Sequence, residues 1–170
     1  DNMTEHLLEG IVPAGMMLQT ARGYHTTIGI LCASIYVESI VRMMRQRDKK
    51  YPVVISVPVN LRNYFPSDTT RNFFGVIKVP YDASLYDGTL ESVIPVISEN
   101  FQAQLTEEKI SNTMNSYAAL EHNLMLKAVP LPIKNAFVRF FDGRMKRGVT
   151  ASLSNVGKLH IHPEIAPFIE

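Results

Sequence analysis

Two runs of apolar, largely β-branched residues constrain this chain more than anything else in it. They are Val53-Val54-Ile55-Ser56-Val57-Pro58-Val59 and Phe73-Phe74-Gly75-Val76-Ile77-Lys78-Val79. Segments of this length and composition read as buried strands rather than as one helix. Polar residues gather where the first run ends, at Asn60-Leu61-Arg62, and just before the second begins, at Arg71-Asn72. A guanidinium at the end of a buried strand needs a carboxylate or a set of carbonyls, because an unpaired buried charge is costly. Asp68 lies in the intervening loop and is expected to be exposed, so Arg62 is expected to pair with an acid far away in sequence or outside this chain.

Helical spacing surrounds these runs. Pro13 suits the first turn of a helix running to about Arg22, with Gly23 just past its end. Thr26 or Thr27 can cap the next helix, whose stripe is read as Leu31, Cys32, Ile35, Ser39 and Met43 and whose end falls near Arg47. After the strands, Thr89 is a candidate cap for a helix through Leu90, Val93, Ile94, Ile97, Phe101 and Leu105, in which Pro95 predicts a late start or a kink. A further helix is expected from Glu107 to about Lys127 and another from Pro132 through Phe141. Val149 to Asn155 and Lys158 to Ile161 read as short strands around a Val156-Gly157 turn. The order of helices, two strands, helices and two strands predicts an α/β layered domain with a mixed sheet, spanning 1–170 without a linker.

Composition removes several function classes. With 46% apolar and 19% charged residues the chain is expected to be globular. A formal net charge of +1 makes no case for nucleic acid or an anionic membrane surface. No apolar run approaches the roughly 20 residues of a membrane span, and no signal peptide is visible. The single cysteine, Cys32, excludes an internal disulfide framework and fits a reducing, cytoplasmic setting. A chain beginning Asp1-Asn2-Met3 is expected to be a processed product or a piece of something longer.

The reactive side chains mostly have plain readings. His160 and His162 share one face of a strand but lack a third ligand, so no metal site is expected. His25 is read as a hydrogen-bonded junction residue rather than a base, and Cys32, Met16 and Met17 as core. His6 and His122 carry no signal. The cations Arg42, Arg45, Arg47, Lys49 and Lys50 suit a solvated helix C-terminus, with a phosphate contact as the alternative. Ser152, Ser154 and Asn155 serve either as turn residues or as donors facing a cleft where an oxyanion forms. Gly-x-Ser-x-Gly, P-loop and Gly-x-Gly-x-x-Gly patterns are all absent.

Three blocks taken together carry a resemblance. Val57-Pro58-Val59-Asn60-Leu61-Arg62, then Arg71-Asn72-Phe73-Phe74-Gly75, then Ser152-Leu153-Ser154-Asn155-Val156-Gly157 resemble the C-terminal half of bacterial alcohol-acetyltransferase-like proteins. These belong to the coenzyme-A-dependent acyltransferase superfamily, with chloramphenicol acetyltransferase and peptide-synthetase condensation domains. The helix after Tyr24-His25-Thr26-Thr27 is also similar to the one before the arginine strand there, so the likeness runs from about Pro13 to Ile161.

The resemblance implies a two-layer α/β sandwich with a mixed sheet, one lobe of two that enclose a tunnel for acyl-coenzyme A (acetyl-coenzyme A above all) and an alcohol or amine acceptor. The family's base is a histidine in a His-His-x-x-x-Asp-Gly motif on the first lobe, and the aspartate of that motif pairs with an arginine of the second, which Arg62 matches. The motif does not occur in this chain. The implied role is therefore a second lobe with no catalytic residue and no metal. Arg62, Asn60, Arg71 and Asn72 would serve the lobe junction, and Gly75, Ser152, Ser154 and Asn155 would line the tunnel. Its implied partners are the N-terminal catalytic lobe, the acceptor and, through an exposed apolar face, a second copy. The rival expectation is a non-catalytic interaction module that keeps the scaffold.

Overall fold

The computed structural model describes residues 6–68, 73–122, 135, 148–155 and 157. Four α-helices and three strands lie among them: α1 (Ala14–Gly23), α2 (Ile28–Met43), β1 (Val53–Asn60), β2 (Phe74–Tyr81), α3 (Leu90–Gln104), α4 (Glu107–His122) and β3 (Ala151–Ser152). The fold is mixed α/β. The chain falls into two compact units, each made of two segments: Asp1–Pro52 with Tyr81–Gln102, and Val53–Pro80 with Ala103–Glu170.

In the first unit, Pro13 stands at the N-cap of α1, where its missing N–H costs nothing. The helix closes on Tyr24, His25 and Thr26. The His25 N–H donates to the Arg22 carbonyl at 3.0 Å and the Thr26 N–H to the Ala21 carbonyl at 2.9 Å, with His25 at φ +52°. This is the Schellman arrangement, and its left-handed position, usually a glycine, holds a histidine. Thr27 then caps α2, its Oγ1 accepting the Ile30 N–H at 3.3 Å.

The buried face of α2 is Ile30, Leu31, Ala33, Ser34, Val37 and Val41. The predicted stripe is thus turned away from the observed one. Leu31 is shared, but Ile35 and Met43 are exposed, and the helix stops at Met43 rather than near Arg47. A helix this apolar offers more than one stripe, and packing selects among them. Ala21, Leu31 and Ile94 form a core cluster with Met17, Tyr24, Ile28 and Leu90 packed against it. Met17 joins the core as expected, whereas Met16 is exposed. Helix α3 starts at Leu90 and continues through Pro95. It accepts the loss of the hydrogen bond that an N–H at 95 would give the Glu91 carbonyl, because Val93, Ile94, Ile97 and Phe101 are buried by the helix that results.

The second unit holds the sheet, in the order β2-β1-β3. β3 runs parallel to β1, with Ile55 opposite Ala151 and Ser56 opposite Ser152. The Thr150 N–H donates to the Val54 carbonyl at 2.8 Å and the Leu153 N–H to the Ser56 carbonyl at 2.9 Å, extending the pairing past the two-residue strand at both ends. Both long strands bury alternate residues only. Val53, Ile55 and Val57 are buried on β1, and Ile77, Val79 and Tyr81 on β2, while Phe74, Val76, Lys78 and Pro80 are exposed. The two runs are strands as expected, and their burial is confined to one face, with β1 half-buried and β2 exposed on the other. β2 is an edge strand among the described residues, and an edge is where Pro80 is tolerated. The expected helix from Pro132, apart from Asn135, the strand over Lys158 to Ile161 and the stretch of the fourth helix past His122 lie outside the described residues.

Candidate functional site

The described site residues lie on or just after the strands of the sheet. Because β1 and β3 are parallel, both run toward the same end of the sheet, with β3 ending opposite Ser56, four residues before Asn60. Asn60-Leu61-Arg62 closes β1, and Leu153-Ser154-Asn155 follows β3. In open α/β sheets this end is where ligands bind, since the loops that follow parallel strands meet outside it.

Leu61 organises the turn after β1. Only 4% exposed, it starts the 3₁₀ turn Leu61–Asn63. Its N–H donates to the Phe73 carbonyl at 3.2 Å, and its own carbonyl accepts from the Tyr64 and Phe65 N–H groups at 3.0 and 2.9 Å. A Cβ built on Gly75 would stand 3.1 Å from Leu61 Cδ2. Gly75 is thus the residue whose missing side chain lets Leu61 sit against β2, which gives it a packing role.

The polar residues around Leu61 have local tasks. Asn60 is exposed, and its Oδ1 accepts the Arg62 N–H at 3.0 Å, the Asx-turn geometry that caps the 3₁₀ turn. Arg62 itself is exposed rather than buried at a strand end. The desolvation argument for a distant acid therefore does not operate within the described residues, because Leu61 takes the buried position. Arg71 and Asn72 lie outside the described residues.

On the β3 side, Ser152, Ser154 and Asn155 are all exposed. Asn155 Oδ1 accepts the Gly157 N–H at 2.9 Å, and Gly157 has φ +72°. The turn-chemistry reading of Asn155 is the one realised, and Gly157 supplies the left-handed conformation that an L side chain resists. Ser152 and Ser154 keep their hydroxyls at the strand edge, available to a ligand. The named set offers hydroxyls, two amides and a guanidinium, without a carboxylate, imidazole or thiol among them. Such a set can bind and orient a polar group, and a proton acceptor would have to come from elsewhere.

Two other candidates belong to the first unit. His25 is exposed at the end of α1, and Cys32 is half-buried on α2. Among the described residues no group of three or more His, Cys, Asp or Glu side chains converges as a metal site would require. His160 and His162 lie outside the described residues, and so does the side chain of His122.

Sequence reasoning missed two polar clusters in the first unit. Arg42 Nη2 pairs with Glu38 Oε1 at 2.8 Å, and its Nε donates to the Tyr86 hydroxyl at 2.8 Å. That hydroxyl in turn donates to Glu38 Oε1 at 3.0 Å. The Glu38/Arg42 spacing of four is legible on a helix; Tyr86, far along the chain, is not. In the second cluster Asp87 Oδ1 accepts from the Thr89 N–H at 2.9 Å and from the Thr89 and Ser92 hydroxyls at 2.7 Å each. These bonds hold the Asp87 carboxyl below its usual range. Ser/Thr/Asp spacing ahead of a helix is the signal that would have found it. Compared with known proteins, the chain matches no family model, no curated protein and no solved structure.

Proposed function

We propose that this chain is the second, non-catalytic lobe of a coenzyme-A-dependent O- or N-acyltransferase, with the chloramphenicol-acetyltransferase-like sandwich as its fold. One observation carries the reading. The three blocks on which the resemblance rests are far apart in sequence, yet their described residues belong to one small sheet: Asn60 ends β1, Gly75 lies on β2 against Leu61, and Ser154-Asn155 follow β3, which runs parallel to β1. A lobe that walls a tunnel needs donors on such a sheet and needs no base of its own.

In this reading a histidine on the partner lobe takes the proton from the acceptor hydroxyl or amine. The acceptor attacks the acetyl thioester, and the coenzyme A thiolate leaves. Ser152, Ser154 and Asn155 hold acyl-coenzyme A or the acceptor against this lobe. Arg62, exposed at the edge, reaches the aspartate of the partner lobe, and Asn60 sets the turn that presents it. Arg71 and Asn72 serve the same junction, and the setting is cytoplasmic.

The test is release of free thiol from acetyl-coenzyme A in the presence of a panel of alcohols and amines. The chain by itself is expected to release none, and a two-lobed protein that carries the His-His-x-x-x-Asp-Gly segment is expected to turn over. In that protein Arg62→Ala is expected to cost about 3–5 kcal/mol of inter-lobe stability, the usual result of orphaning one member of a buried pair. Turnover by the chain alone, abolished by one histidine substitution, would overturn the reading.

The second reading is an interaction module that keeps the scaffold without the chemistry. It is favoured by the exposure of Leu7, Leu8, Ile11 and Val12 in the segment before α1. Supplying the catalytic lobe separates the two, since only the first reading regains acyl transfer.

A further inference from the structure

The net charge of +1 conceals a segregation. Residues 42–51 hold five of the chain's 17 Lys and Arg side chains and one of its 16 Asp and Glu, so this stretch carries +4 and the remainder −3. The structure shows how little of that charge is neutralised locally. Arg42 is committed to Glu38 and Tyr86, and Asp82 and Asp87 cap their own turns. Beyond it Arg45 and Arg47 share the single carboxylate of Asp48, at 2.8 and 3.9 Å. Lys49 lies 5.6 Å above the Tyr86 ring and Lys50 5.1 Å above the Tyr51 ring, contacts that orient an ammonium without cancelling it. Four cations thus face one anion in the stretch that follows α2.

Apolar side chains stand out among these cations. Met43 is 86% exposed, Leu85 60% and Tyr51 59%. Leu85 is the sequence neighbour of Tyr86, which receives Arg42 and lies under Lys49. Cations interleaved with projecting Met, Leu and Tyr side chains match a surface that is anionic at its face and apolar just beneath it. A nucleic acid would use the charges but leave Met43 and Leu85 in water.

We propose that this patch, formed by residues 42–51 and Leu85-Tyr86 of the first unit, is a docking surface for an anionic lipid bilayer. The cations meet the headgroups, while Met43, Tyr51 and Leu85 enter the interfacial layer. The patch belongs to the first unit, and the proposal does not depend on the acyltransferase reading.

Co-sedimentation of the full chain with vesicles tests it. One set is phosphatidylcholine alone, and the other is phosphatidylcholine with phosphatidylserine. Retention is expected on the anionic vesicles only, falling as salt is raised. Lys49→Gln with Lys50→Gln is expected to weaken it about thirtyfold, the loss that two surface cations carry at such a bilayer. Arg22→Gln with Lys78→Gln, which removes two exposed cations elsewhere, is expected to leave it unchanged. Met43→Ser with Leu85→Ser is expected to remove the part that survives high salt. An unchanged thermal midpoint shows that each variant is folded. Equal retention on neutral vesicles, no retention on anionic ones, or equal losses in the two lysine-containing pairs would overturn the proposal. Patch-dependent binding of RNA without vesicle retention would overturn it too, and would reassign the patch to nucleic acid.

Discussion

His25 occupies a position that backbone chemistry reserves for glycine. Its φ of +52° places Cβ against the following carbonyl, at a cost of roughly 1–2 kcal/mol for an L residue. The two carbonyl bonds that close α1 hold it there, and its exposed imidazole takes no part in them. His25→Gly is therefore expected to stabilise the protein by about 1 kcal/mol in urea unfolding, and a loss of stability would show that the ring holds something in place. Tyr81 is the opposite case, a polar atom placed where it gains nothing. The ring is buried, its hydroxyl has no hydrogen-bond partner among the described residues, and burial raises its pKa. The Ser92 hydroxyl, whose influence on it runs the other way, is committed to Asp87 or the Thr89 carbonyl. Tyr81→Phe is expected to leave the unfolding midpoint unchanged or raise it, by up to about 1 kcal/mol, since the mutation removes a desolvated and unpaired group. A loss larger than that would reveal a partner for the hydroxyl.

At the scale of elements, the start of α3 and the seat of Leu61 are the two exposed tests. Asp87 and Asp82 both accept hydrogen bonds that favour the carboxylate, so their folded pKa values lie below the unfolded ones. A depressed carboxyl contributes stability that is complete above the unfolded value, near pH 4, and is lost as the pH falls through the folded value. Thermal melts are expected to decline over that acid window, and Asp87→Asn is expected to flatten the decline. An identical pH profile in the variant would remove Asp87 from the account. Tyr24 has the reverse sign. The hydrogen bond from its hydroxyl to Glu91, at 2.9 Å, raises its pKa, so its contribution is intact below about pH 10 and fades as pH climbs through the folded value. In the sheet, Leu61→Ala is expected to cost about 2–4 kcal/mol, because a buried leucine that also seats against Gly75 leaves a cavity when truncated. A loss below about 1 kcal/mol would mean that the turn after β1 collapses freely.

At the scale of the whole molecule, exposed apolar surface is the feature that calls for a partner. Leu8 is 95% exposed and Ile11 100%, with Leu7, Val12 and Met16 close behind in sequence. Such a run in water favours association. Sedimentation velocity is expected to show a concentration-dependent shift to larger species, and Leu8→Ser with Ile11→Ser is expected to reduce it. A monomer at all concentrations would argue that the run is covered from within the protein's own chain.

Local signals carried the element boundaries far. Pro13 ahead of α1, Thr27 at the start of α2 and the two β-branched runs all sit where covalent preference and short-range hydrogen bonds place them. Which faces these elements bury was decided by packing. The α2 stripe turned to Ile30, Val37 and Val41, and β2 kept Phe74 and Val76 exposed, because burial depends on neighbours that period alone does not name. The seat of Leu61 on Gly75 and the parallel pairing of β3 with β1 join residues 14 and 96 positions apart. Spacing along a chain holds no record of such contacts. The polar character of Asn60, Arg62, Ser154 and Asn155 was legible from the start, and their placement after parallel strands of one sheet was a product of the tertiary fold.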